Sequence, residues 1–450
     1  MATFAIVTLP LTGHIRPMMA AARALRSAGH RPVVVGPIDL IQRIPSDIET
    51  FAIGERDLPV GQLDQLCTCL TRMTSFADMR QMYRTIATLS RLYMNHLPDA
   101  VMKLGADGII HDQLEPAAGI VARGFSEGDR TFRHVSLACA LPMNRDVYVP
   151  PPIMGWAYRD SGYGAWLNAG YYRVVNWLLR EQGAVLAEGA AQFGLSKPDD
   201  LPDWQQPWSV DDGLSRTADL AQGLACLDYP RAKPPVYLGP LRDDQSPYPG
   251  LSSIAHERNG RPLCFVSLGS LMGGRTKVLS AMARAATDRG FQPVVVHGGR
   301  LDEITANLPK ETITRDFLDQ RDILSDSAAA MIHGGYNSTT DAVAAGVPLV
   351  TVPLAFEQGA IAARVERAGL GRKVSAVGPN LSQRIHLALG DVLGSADMAQ
   401  ASRRAQYEAM AAHGLQGFVV AIEGAAPQAS LTGAILTPTV PQRPSMLPAE

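Results

Sequence analysis

Three clusters of residues have the types and spacing to do chemistry. The first is Gly13-His14-Ile15-Arg16-Pro17, in a turn after the apolar run Phe4 to Val7. Histidine has the ordinary pKa nearest neutrality, so His14 suits proton transfer; as a lone residue it also reads as a helix-start histidine with a structural role. The second is Asp112, which closes the run Gly108-Ile109-Ile110-His111. A buried carboxylate bonded to an imidazole fixes its tautomer and stabilises the cation it becomes. Sequence order alone leaves open whether His14 and Asp112 touch.

The third cluster is the most specific. His333-Gly334-Gly335-Tyr336-Asn337-Ser338-Thr339-Thr340-Asp341 follows a strand pattern and opens a helix. Glycines let a backbone approach a ligand, and free amides at a helix start bind diphosphate. Asn337 and Ser338 are placed to cap that helix or donate to a phosphate. His333 adds a donor, and Asp341 an acceptor for a sugar hydroxyl. After the next strand, Glu357 and Gln358 offer partners for the hydroxyls of a transferred sugar. Gly269-Ser270-Leu271-Met272-Gly273-Gly274-Arg275-Thr276 has P-loop spacing with Arg in place of the essential Lys. It reads instead as a second phosphate contact through Ser270 and backbone amides. No G-x-G-x-x-G occurs, which disfavours a nicotinamide enzyme, and no D-x-D occurs, so a carboxylate-held metal has no obvious ligands.

Strand–turn–helix units must carry these clusters. From Ile15 the apolar positions Met18, Met19, Ala22 and Leu25 follow at helical spacing, Gly29 sits at a C-cap, and Pro32 to Val35 predicts the next strand. The pattern recurs at Leu263 to Ser267, Lys277 to Asp288 and the stretch Arg289 to Val296, with Arg289-Gly290 and Pro293-Val294-Val295-Val296 matching Ala28-Gly29 and Pro32-Val33-Val34-Val35. A third unit runs from Ala328 to Ile332, through a helix to Ala345, to a strand at Pro348 to Val352. The fold class is therefore α/β, with two doubly wound domains in tandem. The divisions are an N-terminal domain over 1–228, a Pro-rich linker over 229–261, a C-terminal domain over 262–424 and a disordered tail over 425–450. Seven prolines between Leu227 and Pro262 mark the linker.

Composition narrows the classes. At 450 residues two domains are expected, and 41 basic against 43 acidic residues give no electrostatic case for nucleic acid. No apolar run is long enough to span a membrane, and the first ten residues lack a signal-peptide pattern. Cys67, Cys69, Cys139, Cys226 and Cys264 include no C-x-x-C pair, so reduced thiols and a cytoplasmic location are expected. Residues 148–177 hold eight of the 28 Phe, Tyr and Trp residues, Trp156 and Trp166 among them. That excess fits an ordinary helical core, an apolar acceptor pocket or a membrane-docking surface.

The chain resembles the nucleotide-sugar glycosyltransferases with two Rossmann-like domains facing across a cleft, the GT-B arrangement. The resemblance lies in Asp316-Phe317-Leu318-Asp319-Gln320, the His333 to Ser338 segment, Gly346-Val347-Pro348 and Glu357-Gln358. Asp112 to Pro116, Ala138 to Arg145, Leu227 to Pro230, Phe265 to Ser270 and Pro353 to Gln358 resemble the carotenoid branch more closely. The resemblance implies that His14 is the general base and Asp112 its partner. It also implies that Phe317 and Gln320 flank uracil and ribose, His333, Asn337 and Ser338 hold the diphosphate, Asp341 the ribose, and Glu357 and Gln358 the glucose. Phe317 stands where plant members carry Trp, and Asp319 where they carry Pro. The implied reaction is inverting transfer from UDP-glucose to a hydroxylated carotenoid of the zeaxanthin kind, without metal or other cofactor, at the inner face of a membrane that the chain does not span. The competing expectations are a relative acting on a macrolide, sterol or flavonoid, and a non-catalytic sugar-nucleotide-binding protein.

Overall fold

The computed structural model describes residues 1–63, 76–243, 246–299 and 307–424. Cys67, Cys69 and the 425–450 tail lie outside them. Strands β1 (Thr3–Val7), β2 (Arg31–Gly36), β3 (Glu49–Ala52), β4 (Gly108–Asp112), β5 (Arg133–Ala138), β6 (Ala218–Ala221) and β7 (Val236–Tyr237) form one sheet in the order 3-2-1-4-5-6-7. Strands β8 (Leu263–Ser267), β9 (Gln292–Val296), β10 (Ile313–Arg315), β11 (Ser327–Ile332), β12 (Leu349–Thr351) and β13 (Gly371–Lys373) form a second, in the order 10-9-8-11-12-13. Every pairing in both sheets is parallel. Counted within each half, both orders begin 3-2-1-4-5-6. The order reverses between β1 and β4, and again between β8 and β11, where open α/β sheets leave a crevice for ligands.

Central strands read as continuous apolar runs because helices cover both faces. Phe4, Ala5, Ile6 and Val7 of β1 are buried, as are Val33, Val34 and Val35 of β2. Helix α1 (Thr12–Ser27) lays Ile15, Met18, Met19, Ala22 and Leu25 on that sheet. It ends where Gly29 adopts φ +85°, a left-handed turn open to glycine. In the second half, α6 (Thr276–Thr287) buries Leu279, Met282, Ala283 and Ala286 in the same way.

The chain crosses between halves twice, which modifies the expected domain limits. Val236 and Tyr237, inside the expected linker, add the edge strand β7 to the first sheet. The last helix, α9 (Gly414–Gly424), packs back on the first half through Phe418, Ala421 and Ile422, which share a core cluster with Leu25 and Ile6. These apolar residues at i, i+3 and i+4 need cover, and the N-terminal core supplies it. Other helices used below are α2 (Phe76–Leu104), α3 (Pro116–Gly128), α4 (Gly162–Leu178), α5 (Arg180–Gln192), α7 (Tyr336–Ala344) and α8 (Gln358–Arg367). No helix among the described residues is long and apolar enough to cross a membrane. Cys139, Cys226 and Cys264 are all free thiols.

Candidate active site

Pairing of β1 with β4 sets Val7 beside His111, so the chain leaving β1 and the end of β4 open on one crevice. His14 stands in the first turn of α1, and its Nδ1 lies 2.6 Å from Asp112 Oδ2. The Leu114 amide donates to the other oxygen, Asp112 Oδ1, at 2.9 Å. Burial disfavours the charged form of both side chains, yet their mutual attraction prevails. His14 is raised above the ordinary imidazole value by Asp112 and by the charge of Glu357, while Asp112 is held below the ordinary carboxylate range. With Nδ1–H donating to the carboxylate, Nε2 is the nitrogen left to accept a proton.

Cys139 completes this corner. It follows β5, the neighbour of β4, and its buried thiol is pushed well up by desolvation and by Asp112. His14, Asp112 and Cys139 bring their donor atoms within 4.8 Å of one another. The geometry suits a shared proton better than a metal ion. Two ligands about 2.0 Å from a tetrahedral centre are separated by about 3.3 Å, whereas His14 and Asp112 sit at hydrogen-bond distance.

The second crevice is built differently. Gly335 is the N-cap of α7 and no side chain caps that helix, so its first amides present the positive end of the helix dipole. Gly269 follows β8 with φ +70°, and a Cβ there would lie 2.8 Å from the His333 ring. A Cβ on Gly335 would come within 2.4 Å of His333 Nε2. Glycine is therefore required on both sides of that imidazole. Desolvation lowers His333 to about 4, so it is a neutral donor at physiological pH, and its buried Nδ1 has no hydrogen-bond partner.

The two crevices are joined by hydrogen bonds. Asn337 Nδ2 donates to the Gly13 carbonyl at 2.7 Å. That carbonyl is open because residue i+4 is Pro17, which has no N–H to close the helical bond. Asn337 Oδ1 accepts from Gln222 Nε2 at 2.8 Å and Arg242 Nη2 at 2.9 Å, and Gln222 also donates to the Cys139 carbonyl at 2.6 Å. A ring of contacts thus runs from His14 through Asp112, Cys139, Gln222 and Asn337 back to Gly13.

The remaining sequence-nominated residues fall into different settings. Asp341 is engaged on both oxygens, by Arg242 Nε at 3.0 Å and Gln320 Nε2 at 2.8 Å, and Ser338 donates to Gln320 at 2.9 Å. Gln358 is buried and accepts from the Leu354 and Ala355 amides, holding the loop before α8. Glu357, half-buried at the start of α8, makes no capping bond. Ser270 is exposed on the short helix Gly269–Met272. Phe317 has one face stacked on Tyr248 at 5.2 Å, and Arg16 covers Tyr248 at 4.7 Å. Trp156 and Trp166 are not together. Trp156 donates to Asn168 on the inner side of α4, whereas Trp166 is 68% exposed. Trp166 is two residues from Asn168, about 200° around the helix.

Cys139, Gln222, Arg242 and Tyr248 were not nominated by the sequence. Cys139 lies in the quoted block Ala138 to Arg145, but a lone buried cysteine carries no signal of its own.

Two facing Rossmann-like domains, with the His14–Asp112 pair at one switch point and an open helix tip at the other, have the arrangement of the GT-B fold. The comparisons with known proteins agree. Residues 285–421 match the erythromycin biosynthesis protein CIII-like C-terminal domain. Zeaxanthin glucosyltransferase of Pantoea ananas is 30% identical over 382 residues, covering 83% of this chain and 85% of that protein. The enzyme of the same name from Pseudescherichia vulneris is 29% identical over 402 residues, covering 87% and 91%. Among solved structures, the glycosyltransferase of kitacinnamycin shares the fold with a TM-score of 0.69 at 16% identity, over 95% of this chain and 99% of that one. The chain belongs to the glycosyltransferase family that includes the zeaxanthin glucosyltransferases, and it is a transferase.

Proposed function

We propose that this enzyme transfers glucose from UDP-glucose to the ring hydroxyl of zeaxanthin or a similar hydroxylated carotenoid, with inversion at the anomeric carbon. The observation that carries the reading is the 2.6 Å pair of His14 and Asp112, tied through Gly13 to the tip of α7. In a single displacement, His14 Nε2 takes the acceptor O–H proton as the oxygen attacks the anomeric carbon. The bond from that carbon to the diphosphate oxygen breaks, and UDP departs with the electron pair. Asp112 stabilises the imidazolium. The amides of α7 and His333, joined by Ser338 once its hydroxyl turns from Gln320, stabilise the diphosphate without need of a metal. Glu357 takes hydroxyls of the sugar, and Phe317 offers its free face to the base. Gln320, Asp341 and Gln358 act by holding the walls of the donor site.

The acceptor is long, apolar and dissolved in membranes, so the enzyme meets the cytoplasmic membrane face peripherally. Incubation with UDP-glucose and zeaxanthin, followed by mass spectrometry, tests the assignment. A product heavier by one or two hexose residues supports it. UDP release that requires a macrolide, sterol or flavonoid instead, with none on zeaxanthin, replaces the acceptor. UDP binding without release on any acceptor rejects catalysis altogether.

A further inference from the structure

Helix α4 turns an unusual face outward. Its 17 residues place Tyr163, Trp166, Gly170, Arg173, Val174 and Trp177 within one stripe of roughly 100° around the axis. The large side chains of that stripe are in the open: Tyr163 58%, Trp166 68%, Val174 48% and Trp177 56% exposed. The opposite side buries Gly164, Asn168 and Tyr172. A surface helix ordinarily shows polar residues outward, so a contiguous aromatic stripe calls for a partner.

Charge points to which partner. Arg159 covers Tyr163 at 5.5 Å and Arg180 covers Trp177 at 5.0 Å, so a guanidinium flanks the aromatics at each end of the stripe. An open groove of about 460 Å³ lies at the Trp177 end, lined by Arg173, Trp177 and Arg180 with Ala184, Ala187 and Trp208. Its one acidic wall residue, Asp203, is 3.9 Å from Arg173. Glu181, beside the stripe, lies 3.8 Å from Arg84. Trp and Tyr settle at the depth of lipid headgroups, and arginines beside them attract anionic phosphates.

We propose that this face of α4 docks on the surface of an anionic lipid bilayer, with the groove between α4, α5 and Trp208 taking a phospholipid headgroup and the first part of its chain. Function enters only as the reason for docking, since this deepens the reading of a membrane-dissolved acceptor and rests on it. The inner side of α4 leads to the cleft. Trp156 bonds Asn168, and the adjacent Gly155 packs so tightly on Gly359 of α8 that a Cβ would meet its backbone at 2.8 Å. Docking therefore puts α4 against the bilayer, with the Trp156 and Gly155 layer joining its inner side to α8 of the other half.

Co-sedimentation with vesicles of phosphatidylcholine, alone or mixed with phosphatidylglycerol, tests the proposal on the full chain. The expected result is binding to the mixed vesicles that weakens as salt rises. Arg159→Gln/Arg173→Gln/Arg180→Gln should lower that affinity about a hundredfold, at roughly fivefold per arginine. Val174→Ser/Trp177→Ser should weaken binding to both vesicle types, with its melting temperature unchanged. Absent or salt-independent vesicle binding overturns the proposal, as does a solution dimer of the wild type that Val174→Ser/Trp177→Ser abolishes. Turnover of detergent-dispersed zeaxanthin separates the two readings. Vesicle binding without turnover contradicts the acceptor and leaves the docking face standing, and turnover without vesicle binding does the reverse.

Discussion

Both halves of the molecule place a turn at the point where strand order reverses, and they equip it in opposite ways. After β1 the helix begins with an imidazole suited to proton transfer, braced by a buried carboxylate from β4. After β11 the helix begins with glycine and no capping side chain, leaving amides for an anion. One strand order therefore serves two tasks because the first helical turn differs, not the scaffold. Pro17 adds the link between them. By withholding one helical hydrogen bond it frees the Gly13 carbonyl for Asn337 of the other half.

The largest expected effect breaks the first half alone. Asp112→Asn keeps the size of the side chain but removes the charge that raises His14. A protonated His14 accepts nothing, so the wild-type rate falls as pH drops through the raised His14 pKa. The variant should lose about 10²- to 10⁴-fold in kcat, and the acid limb of its residual activity should move to lower pH. A pH–rate profile with an unmoved acid limb removes His14 as the titrating group.

Breaking the second half should give the opposite kinetic pattern. Gly335→Val forces a side chain against His333, so the donor KM should rise about tenfold or more, an overpacking cost of 1–3 kcal/mol. With saturating donor, kcat should change less. A large fall in kcat at unchanged donor KM would mean that the α7 tip does not bind the donor.

The link between halves is testable by Pro17→Ala, which supplies an N–H to compete for the Gly13 carbonyl. A single hydrogen bond is worth about 1 kcal/mol, so kcat/KM should fall about fivefold while the melting temperature holds or rises. Unchanged kinetics would show that the cross-cleft bond has no bearing on alignment.

The smallest effect on turnover concerns the scaffold under the first site, where the change is in stability. Glu115, N-cap of α3, is buried and its carboxyl is raised to about 8 by desolvation. A carboxyl raised on folding contributes its stability fully below the unfolded value near 4.5, and that stability is lost as pH rises through about 8. Glu115→Gln cannot ionise, so its melting temperature should decline less than the wild type's between those limits. Parallel melting curves would remove the protonated carboxyl.

The two halves also differ in what the sequence made legible. Turns after strands are local, so His14, Asp112, Gly269 and the His333 to Ser338 segment stood out by type and position. The repeated strand–helix–strand pattern carried the fold class for the same reason. Cys139, Gln222 and Arg242 meet these turns only through pairings across the sheet and across the cleft, which leave no periodic trace. Gln222 is 115 residues from the Asn337 it bonds. Composition drew attention to residues 148–177 but could not separate Trp156 from Trp166. Only the helical rotation of α4 turns Trp166 to solvent and carries Asn168, which Trp156 bonds, to the inner side. The return of α9 to the first half was likewise hidden, because Phe418, Ala421 and Ile422 specify a need for cover and not its source.

The division of labour between the halves is tested most directly by His14→Ala, with UDP affinity measured by calorimetry beside glucosyl transfer to zeaxanthin. Loss of transfer by at least about 10²-fold, with UDP affinity unchanged, is the expected result. Substantial transfer by the variant would contradict the assignment of the base, and lost UDP affinity would contradict the independence of the two sites.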